Sequence, residues 1–295
     1  SNNIEVLYYQ NDNYPKRLLH CPDYPLILFK KGNYNVDAPY VISIVGTRKA
    51  TPYGREVCNK IVEYLKDFPV IIVSGLAYGI DIYAHEAALK NAIPTVGVVA
   101  HGLDQVYPKA HQGQAAEMMK NGGLLTEFIS GGKPDRENFP RRNRVVAGLS
   151  DVVLVVESQE RGGALITARL AQDYNRDVFA VPGKVTDPFS LGCNKLIYEN
   201  GAALYMDPEQ LVKAMGWKST SDSSQKPKQL ALMMDLSEEE EKIVNLLRLQ
   251  PKMRKDEMSG VLSQPVSSIS VTLLNMELNG IVKSLPGGLF DLAIA

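Results

Sequence analysis

Val41-Ile-Ser-Ile-Val-Gly-Thr-Arg-Lys-Ala-Thr-Pro-Tyr-Gly54 reads as a buried strand, a glycine-bearing turn and the entry to a helix. Val41–Val45 is apolar at nearly every position, the pattern of a strand covered on both faces. Beyond Gly54, the residues Val57, Ile61, Val62 and Leu65 share one side of a 3.6-residue period, which predicts a helix over 54–68. The alternation continues along the chain. Strands are expected at 70–73, 95–99, 124–128, 152–156, 178–181 and 203–205, with helices at 80–89, 112–120, 164–174 and 194–199 between them. Such alternation builds a doubly wound, mostly parallel sheet. The fold class is therefore α/β, an extended Rossmann-like domain over residues 39–217.

On either side of that domain the pattern changes. Residues 1–38 are rich in Tyr, Pro and Asn, keep no regular period and read as an extended N-terminal arm. Lys218–Lys228 (KSTSDSSQKPK) has no apolar residue and reads as a linker, taken to residue 230. Ser237 with Glu240 three residues on is a capping-box pattern, and a helix through Ile243, Val244, Leu246 and Leu247 follows. A second short helix is expected at 255–262 and a third at 268–279. The turn Pro286-Gly287-Gly288 then makes a hairpin. Three helices and a hairpin predict a small winged-helix domain over 231–295.

The 295 residues carry a net charge of −1, so bulk electrostatics announce no nucleic-acid partner. Charge is instead local. From Ala231 onward there are nine acids against six bases, whereas Lys133, Arg136, Arg141, Arg142 and Arg144 crowd into one short segment. A basic patch can hold phosphates on a protein of neutral overall charge. Cys21, Cys58 and Cys193 lie far apart without a CxxC pair and read as reduced thiols. The polar start at Ser1–Asn3 does not read as an export signal, and apolar runs such as Val152–Val156 have strand length. A cytoplasmic location without a membrane partner is the expectation.

Ligands of a doubly wound sheet sit beyond the carboxyl ends of the strands, so the loops there carry the functional reading. Gly46-Thr47-Arg48 follows the first strand and matches neither G-x-G-x-x-G nor a Walker A sequence. Its glycine admits an anion to the backbone and Arg48 offers a bidentate phosphate donor. Taken alone, it serves equally as a turn with a solvated arginine. Ser74-Gly75-Leu-Ala-Tyr-Gly79-Ile-Asp81 offers a second close-approach turn, with plain turn geometry as the other reading. Arg136-Glu-Asn-Phe139-Pro-Arg141-Arg142-Asn143-Arg144 is the most telling segment. Arginines for phosphates with an aromatic ring for a base face is the composition of a single-strand site. The fourth loop, Arg161–Arg169, opens a helix with Gly162-Gly163 and contains Thr167. Catalytic patterns are thin: His20, His85, His101 and His111 share no ligand spacing, and Ser74 is not within G-x-S-x-G. Neither a metal nor a cofactor is implied.

These loops, taken in order, carry a resemblance. Ile44-Val-Gly-Thr-Arg48; Ser74–Asp81 with His85; Gly102-Leu-Asp104 with Tyr107-Pro108; Phe139–Arg144 with Ala147-Gly-Leu-Ser150 are four of its parts. Gly163 with Thr167-Ala168, and Val181-Pro-Gly183 with Gly192–Ile197, complete it, while Tyr14-Pro15 and Pro25-Leu26 fit in the arm. The sequence resembles the bacterial DNA-processing protein family, DprA, also called Smf. The resemblance implies a non-enzymatic protein that protects incoming single-stranded DNA in natural transformation and loads the recombinase RecA. It also implies a homodimer joined through the Rossmann domains. By position, Arg48 and Arg136 match phosphate contacts and Phe139 the base-stacking residue, with Arg141 to Arg144 expected in the same pocket. Many members place a small helical domain ahead of the arm, which this sequence does not include, as a shortened chain would not. Gly162 stands where members often have Ser, and the acidic C-terminal unit departs from a duplex-reading domain.

Two other classes compete. A phosphoribohydrolase-like Rossmann enzyme predicts a Glu after the Thr of the fourth loop, where this chain has Ala168 and Arg169. A winged-helix regulator predicts a basic recognition helix, and 268–279 contains no Lys or Arg.

Overall fold

The computed structural model describes residues 4–35, 37–220, 237–250, 252–279, 281–285 and 289–292. Most of the expected linker and the 286–288 turn lie outside them. Two units separate, Ser1–Asp222 and Ser223–Ala295.

The first unit is built on a nine-stranded sheet. Its strands are β1 (Glu5–Tyr8), β2 (Ile27–Asn33), β3 (Tyr40–Val45), β4 (Val70–Ser74), β5 (Thr95–Val98), β6 (Gly122–Thr126), β7 (Val152–Val155), β8 (Asp177–Ala180) and β9 (Ala203–Leu204). They lie in the order β1-β2-β6-β5-β4-β3-β7-β8-β9. From β6 to β9 every pairing is parallel, with Ile42 opposite Ile72 on one side of β3 and opposite Val152 on the other. The α/β, mostly parallel architecture expected from the sequence is present.

The helices of this unit are α1 (Lys16–Leu19), α2 (Pro52–Tyr64), α3 (Ile80–Lys90), α4 (Gln112–Met118), α5 (Asn138–Leu149), α6 (Gly163–Asp173), α7 (Leu191–Tyr198) and α8 (Pro208–Ala214). Helix α2 forms where it does for local reasons. The Thr51 side chain accepts from the Gly54 amide at 3.4 Å, and Pro52 occupies the first turn, where a missing N–H costs nothing. Its residues Val57, Cys58, Ile61 and Val62 are buried with Ile80, Ala84 and Leu211, the apolar side of α2, α3 and α8, against one face of the sheet. The other face is covered by Val145, Val146 and Leu149 of α5, Leu165 and Ala168 of α6, and Leu196 of α7. Burial of each Val, Leu or Ile side chain among these contributes about 1.5–3 kcal/mol, and of each alanine methyl less.

The described residues of the 1–38 segment, 4–35 and 37–38, are more than the expected extended arm. Strand β1 pairs antiparallel with β2, and β2 pairs antiparallel with β6, so this segment completes the sheet edge. Leu7, Tyr14, Leu18 and Leu28 are buried in the main core. Helix α8 was also not expected. Asp207 accepts from the Gln210 amide at 2.7 Å, and Pro208 follows it at the first turn, a start signal present in the sequence.

In the second unit, helices Glu238–Leu249, Lys255–Leu262 and Val266–Leu278 surround Ile243, Leu247, Met258, Ile269, Leu273 and Met276. Strands Met253–Arg254, Val282–Leu285 and Leu289–Leu292 form a three-stranded antiparallel sheet. The first of these strands was not part of the sequence reading. Ser237 and Glu240 make the reciprocal capping box.

Candidate nucleic-acid interface

Sheet order places the site. The chain runs outward from β3 through β4 and β5 to β6, then returns to lay β7 against the opposite side of β3. The loops after β3 and β7 therefore diverge, and a crevice opens between them at the carboxyl ends of the strands. A cleft of about 430 Å³ lies there. Gly46–Lys49 form one side, Ser158, Gln159 and Arg161–Gly163 a second, Gly75 and Ala77 a third, and Phe139, Arg142 and Asn143 of α5 the last.

The first loop is held by Glu157. This buried carboxylate accepts from the Thr51 amide at 2.9 Å and from the Thr51 hydroxyl, while the Glu157 carbonyl accepts from the Thr47 amide at 2.7 Å. Thr47 and Gly46 are thus fixed at the cleft wall, and Arg48 and Lys49 project into solvent. The second loop is held by His85, whose Nε2–H donates to the Gly75 carbonyl at 2.6 Å and whose Nδ1 lies 2.7 Å from the Thr95 hydroxyl. Burial pushes this imidazole down to about 4, so it stays neutral. Gly79 closes the turn with φ +80, and a Cβ there would lie 2.2 Å from the Thr47 carbonyl oxygen. That close approach joins the first two loops and requires glycine.

The arginine segment divides. Arg48 stays exposed with its guanidinium 5.2 Å from the centroid of the Phe139 ring. Arg142 is buried, donates to the Val98 carbonyl and to Asn143 Oδ1 at 3.2 Å, and lies 5.9 Å from the same ring. Burial draws its pKa below the ordinary arginine value, opposed by the nearby Asp81 carboxylate. Asp81 in turn is pushed up by burial and held back by Arg142. At the far side, α6 begins at Gly162 without a side-chain cap, and its Gly163 faces open space. Thr167, one turn on, is only 2% exposed, lines the cleft, and its hydroxyl makes no hydrogen bond to another described residue. Uncapped first-turn amides beside a free hydroxyl, Arg48, Lys49 and Arg161 can hold an anion.

Of the residues singled out in the sequence, Gly46, Thr47, Arg48, Gly75, Phe139, Arg142, Asn143, Gly163 and Thr167 meet at this cleft. Ser74 does not: its hydroxyl is buried and donates to the Ile44 carbonyl at 2.6 Å. Arg144, expected in the same pocket, instead pairs with Glu127 and the Asp23 carbonyl. Arg141 is exposed, 5.5 Å from the Phe128 ring and 3.8 Å from Glu127. Arg136 is exposed in the loop before α5, outside the cleft lining. Sequence reasoning quoted Lys49 and Arg161 within its loops without giving them a role and left out Ser158 and Gln159, although their position after a strand was a usable signal.

Residues 5–216 match the sequence profile of the family described as DNA recombination-mediator protein A. The chain belongs to that family. Protein Smf of Escherichia coli is 35% identical over 293 residues, spanning 97% of this chain and 77% of the relative. The DNA processing protein DprA of Streptococcus pneumoniae is 41% identical over 194 residues, 66% of this chain and 68% of the relative. An X-ray structure of that pneumococcal protein superposes with a TM-score of 0.66 at 38% identity, covering 73% of this chain and 75% of the other. DNA processing protein A of Helicobacter pylori, solved for its single-stranded DNA binding mode, also gives 0.66, at 29% identity over 73% of this chain and 97% of the other. The family membership makes this a DNA-processing recombination mediator. Among the described residues, no helix is long and apolar enough to cross a membrane and no cluster of His, Cys, Asp or Glu could hold a metal.

Proposed function

We propose that the cleft binds single-stranded DNA, and that the protein protects such strands and loads RecA onto them, as a cytoplasmic homodimer joined through its Rossmann domains. The carrying observation is Phe139, half-buried at a cleft rimmed by glycine loops, with the exposed Arg48 guanidinium 5.2 Å from its ring. A base stacked on the ring would bring its phosphates to Arg48, Lys49 and the α6 N-terminus. Arg136 and Arg141, both exposed, are assigned in this reading to the phosphates of the strand as it leaves. The resemblance to DprA proteins supports this reading, as does the Helicobacter pylori relative described with single-stranded DNA.

A non-enzymatic role fits the carboxylates. Glu157 accepts from Thr51, Glu127 Oε2 pairs with Arg144 while its Oε1 has no partner among the described residues, and neither carboxylate lines the cleft where a nucleotide would be cleaved. Gel shifts with single- and double-stranded oligonucleotides of equal length provide the test. Single strands should bind more tightly. Arg48→Ala should flatten the slope of log affinity against log salt by roughly 0.7, because one phosphate contact is lost. Phe139→Ala should cost about 1–3 kcal/mol with that slope unchanged, because stacking releases no ions. Equal binding of duplex and single strand, or a Phe139→Ala protein that binds normally, overturns the reading.

A further inference from the structure

Two sequence features stay outside the cleft as described: Tyr78 in the second glycine loop, and Tyr107 in the segment after Gly102-Leu-Asp104. The fold brings them together. A recess of about 70 Å³ opens on the far side of Phe139, with Tyr78 and Tyr107 among its lining. Leu76, Val99 and Ala100, also in the lining, are each 2% exposed and form an apolar wall beside the buried His101 and Arg142. The two tyrosine rings are not buried; Tyr78 is 50% and Tyr107 46% exposed. Arg48, Phe139 and Arg142 line the recess and the cleft alike, so the two are continuous around the Phe139 ring.

Both tyrosines are held by what lies behind them. The Tyr107 amide donates to His101 Nε2 at 3.2 Å, and the opposite ring N–H of His101 donates to the Gly102 carbonyl at 2.9 Å. Tyr78 meets the ring of His111 edge-on at 4.8 Å, and His111 Nδ1 bonds the Leu76 carbonyl at 2.8 Å. Exposed aromatic rings, Tyr107 anchored through its backbone and Tyr78 against the His111 ring, beside a hollow with an apolar wall suit a flat ring with polar edges. Tyr107 and Phe139 lie 6.3 Å apart with planes inclined at 54°, too close and too steep to admit one base flat between them. Each ring therefore serves a different base.

We infer that Tyr107 and Tyr78 form a second base subsite, in which the nucleotide next to the one on Phe139 lays its base on Tyr107, edge toward Leu76, Val99 and Ala100. The inference rests on the reading of the cleft as a single-strand site and extends it from one base to two. The occupant is a base of the same strand because the recess is reached around Phe139 and presents no charge besides the two arginines it shares with the cleft.

The full chain is titrated with oligothymidylate as wild type and as Tyr107→Ala, Tyr107→Phe, Tyr78→Ala and Phe139→Ala. In parallel, oligothymidylate with a single 5-iododeoxyuridine is irradiated on the wild type and the cross-linked peptides are mapped. Tyr107→Ala should weaken binding roughly 5- to 150-fold, the range of base–aromatic stacking, with the salt slope unchanged. Tyr107→Phe should restore it, Tyr78→Ala should weaken it less, and cross-links should map to Tyr107 or Tyr78. If Phe139→Ala weakens binding while both tyrosine-to-alanine proteins bind as wild type and no cross-link maps there, the second subsite is wrong and the cleft reading stands. If the wild type does not bind the oligonucleotide, both fail together. Should Tyr107→Ala unfold, Tyr78→Ala and the wild-type cross-links decide. Cross-links at neither tyrosine then overturn the proposal.

Discussion

Arg48 and Arg142 both face the Phe139 ring, but one is solvated and the other enclosed beside Asp81. Their alanine variants should part accordingly. Arg142→Ala removes the bond to the Val98 carbonyl and leaves that buried acceptor unpaired beside Asp81, a loss of about 1–3 kcal/mol. Arg48→Ala removes only an exposed charge. Urea unfolding should therefore show a sharply lowered midpoint for Arg142→Ala and an unchanged one for Arg48→Ala; equal midpoints would contradict the burial. His85 supplies a pH signature. Its folded value of about 4 lies below the ordinary histidine value of 6.5, so between those values the unfolded chain binds the proton and the folded chain does not. Stability contributed by the neutral imidazole is then full above about 6.5 and is lost as pH falls toward about 4, on the order of 3 kcal/mol in all. Asp81, raised by burial, acts in the opposite sense at the acid end. Comparing wild type with His85→Gln in urea at pH 7 and pH 5 isolates the histidine: the wild type should lose more on acidification.

At the scale of elements, the cleft is made by how loops meet helices. Gly79 lets the α3 turn press on the carbonyl of Thr47, and Ala there would need φ +80 and an impossible Cβ position. Gly79→Ala should cost more than the ~1–3 kcal/mol of backbone strain alone, because Thr47 and Arg48 must also move. Thermal unfolding reads the loss, and an unshifted midpoint would refute the tight junction. The start of α6 offers the opposite case. Thr167→Val trades a hydroxyl with no hydrogen bond to another described residue for a methyl group, so stability should hold or rise. If that hydroxyl meets a phosphate, oligonucleotide affinity should fall by the worth of one hydrogen bond, about 0.5–1.5 kcal/mol. Affinity equal to wild type would place Thr167 outside the contact.

The whole molecule has two units with separate cores. Helix Val266–Leu278 of the second carries no Lys or Arg, while the cations of the cleft all belong to the first. We read the second unit as a winged-helix domain that is secondary for single-strand binding. A chain ending after Thr220 should still unfold cooperatively and bind oligothymidylate with less than about a tenfold loss, since few phosphate contacts go with it. Loss of binding in that shortened but folded chain would move the main site to the second unit.

The sequence by itself determined what is local. Runs such as Val41–Val45 and Val152–Val155 are strands because they are apolar on both faces, and α2 starts at Thr51-Pro52 because that pair caps and opens a helix. It also pointed to the loops that meet at the cleft, since the crevice follows strand ends whatever the strand order. The tertiary structure alone decided which loops meet, because the return of β7 to the side of β3 is a pairing between residues more than 100 positions apart. It alone enrolled β1 and β2, whose mixed pattern acquires an inside only when β6 lies beside it. The four arginines of the basic segment read alike in sequence. Val98 and Asp81 claim Arg142, Glu127 and Asp23 claim Arg144, and Arg136 and Arg141 stay in solvent. Charge is written in the residue, but whether it is spent inside the protein or left for a ligand depends on partners brought from distant parts of the chain.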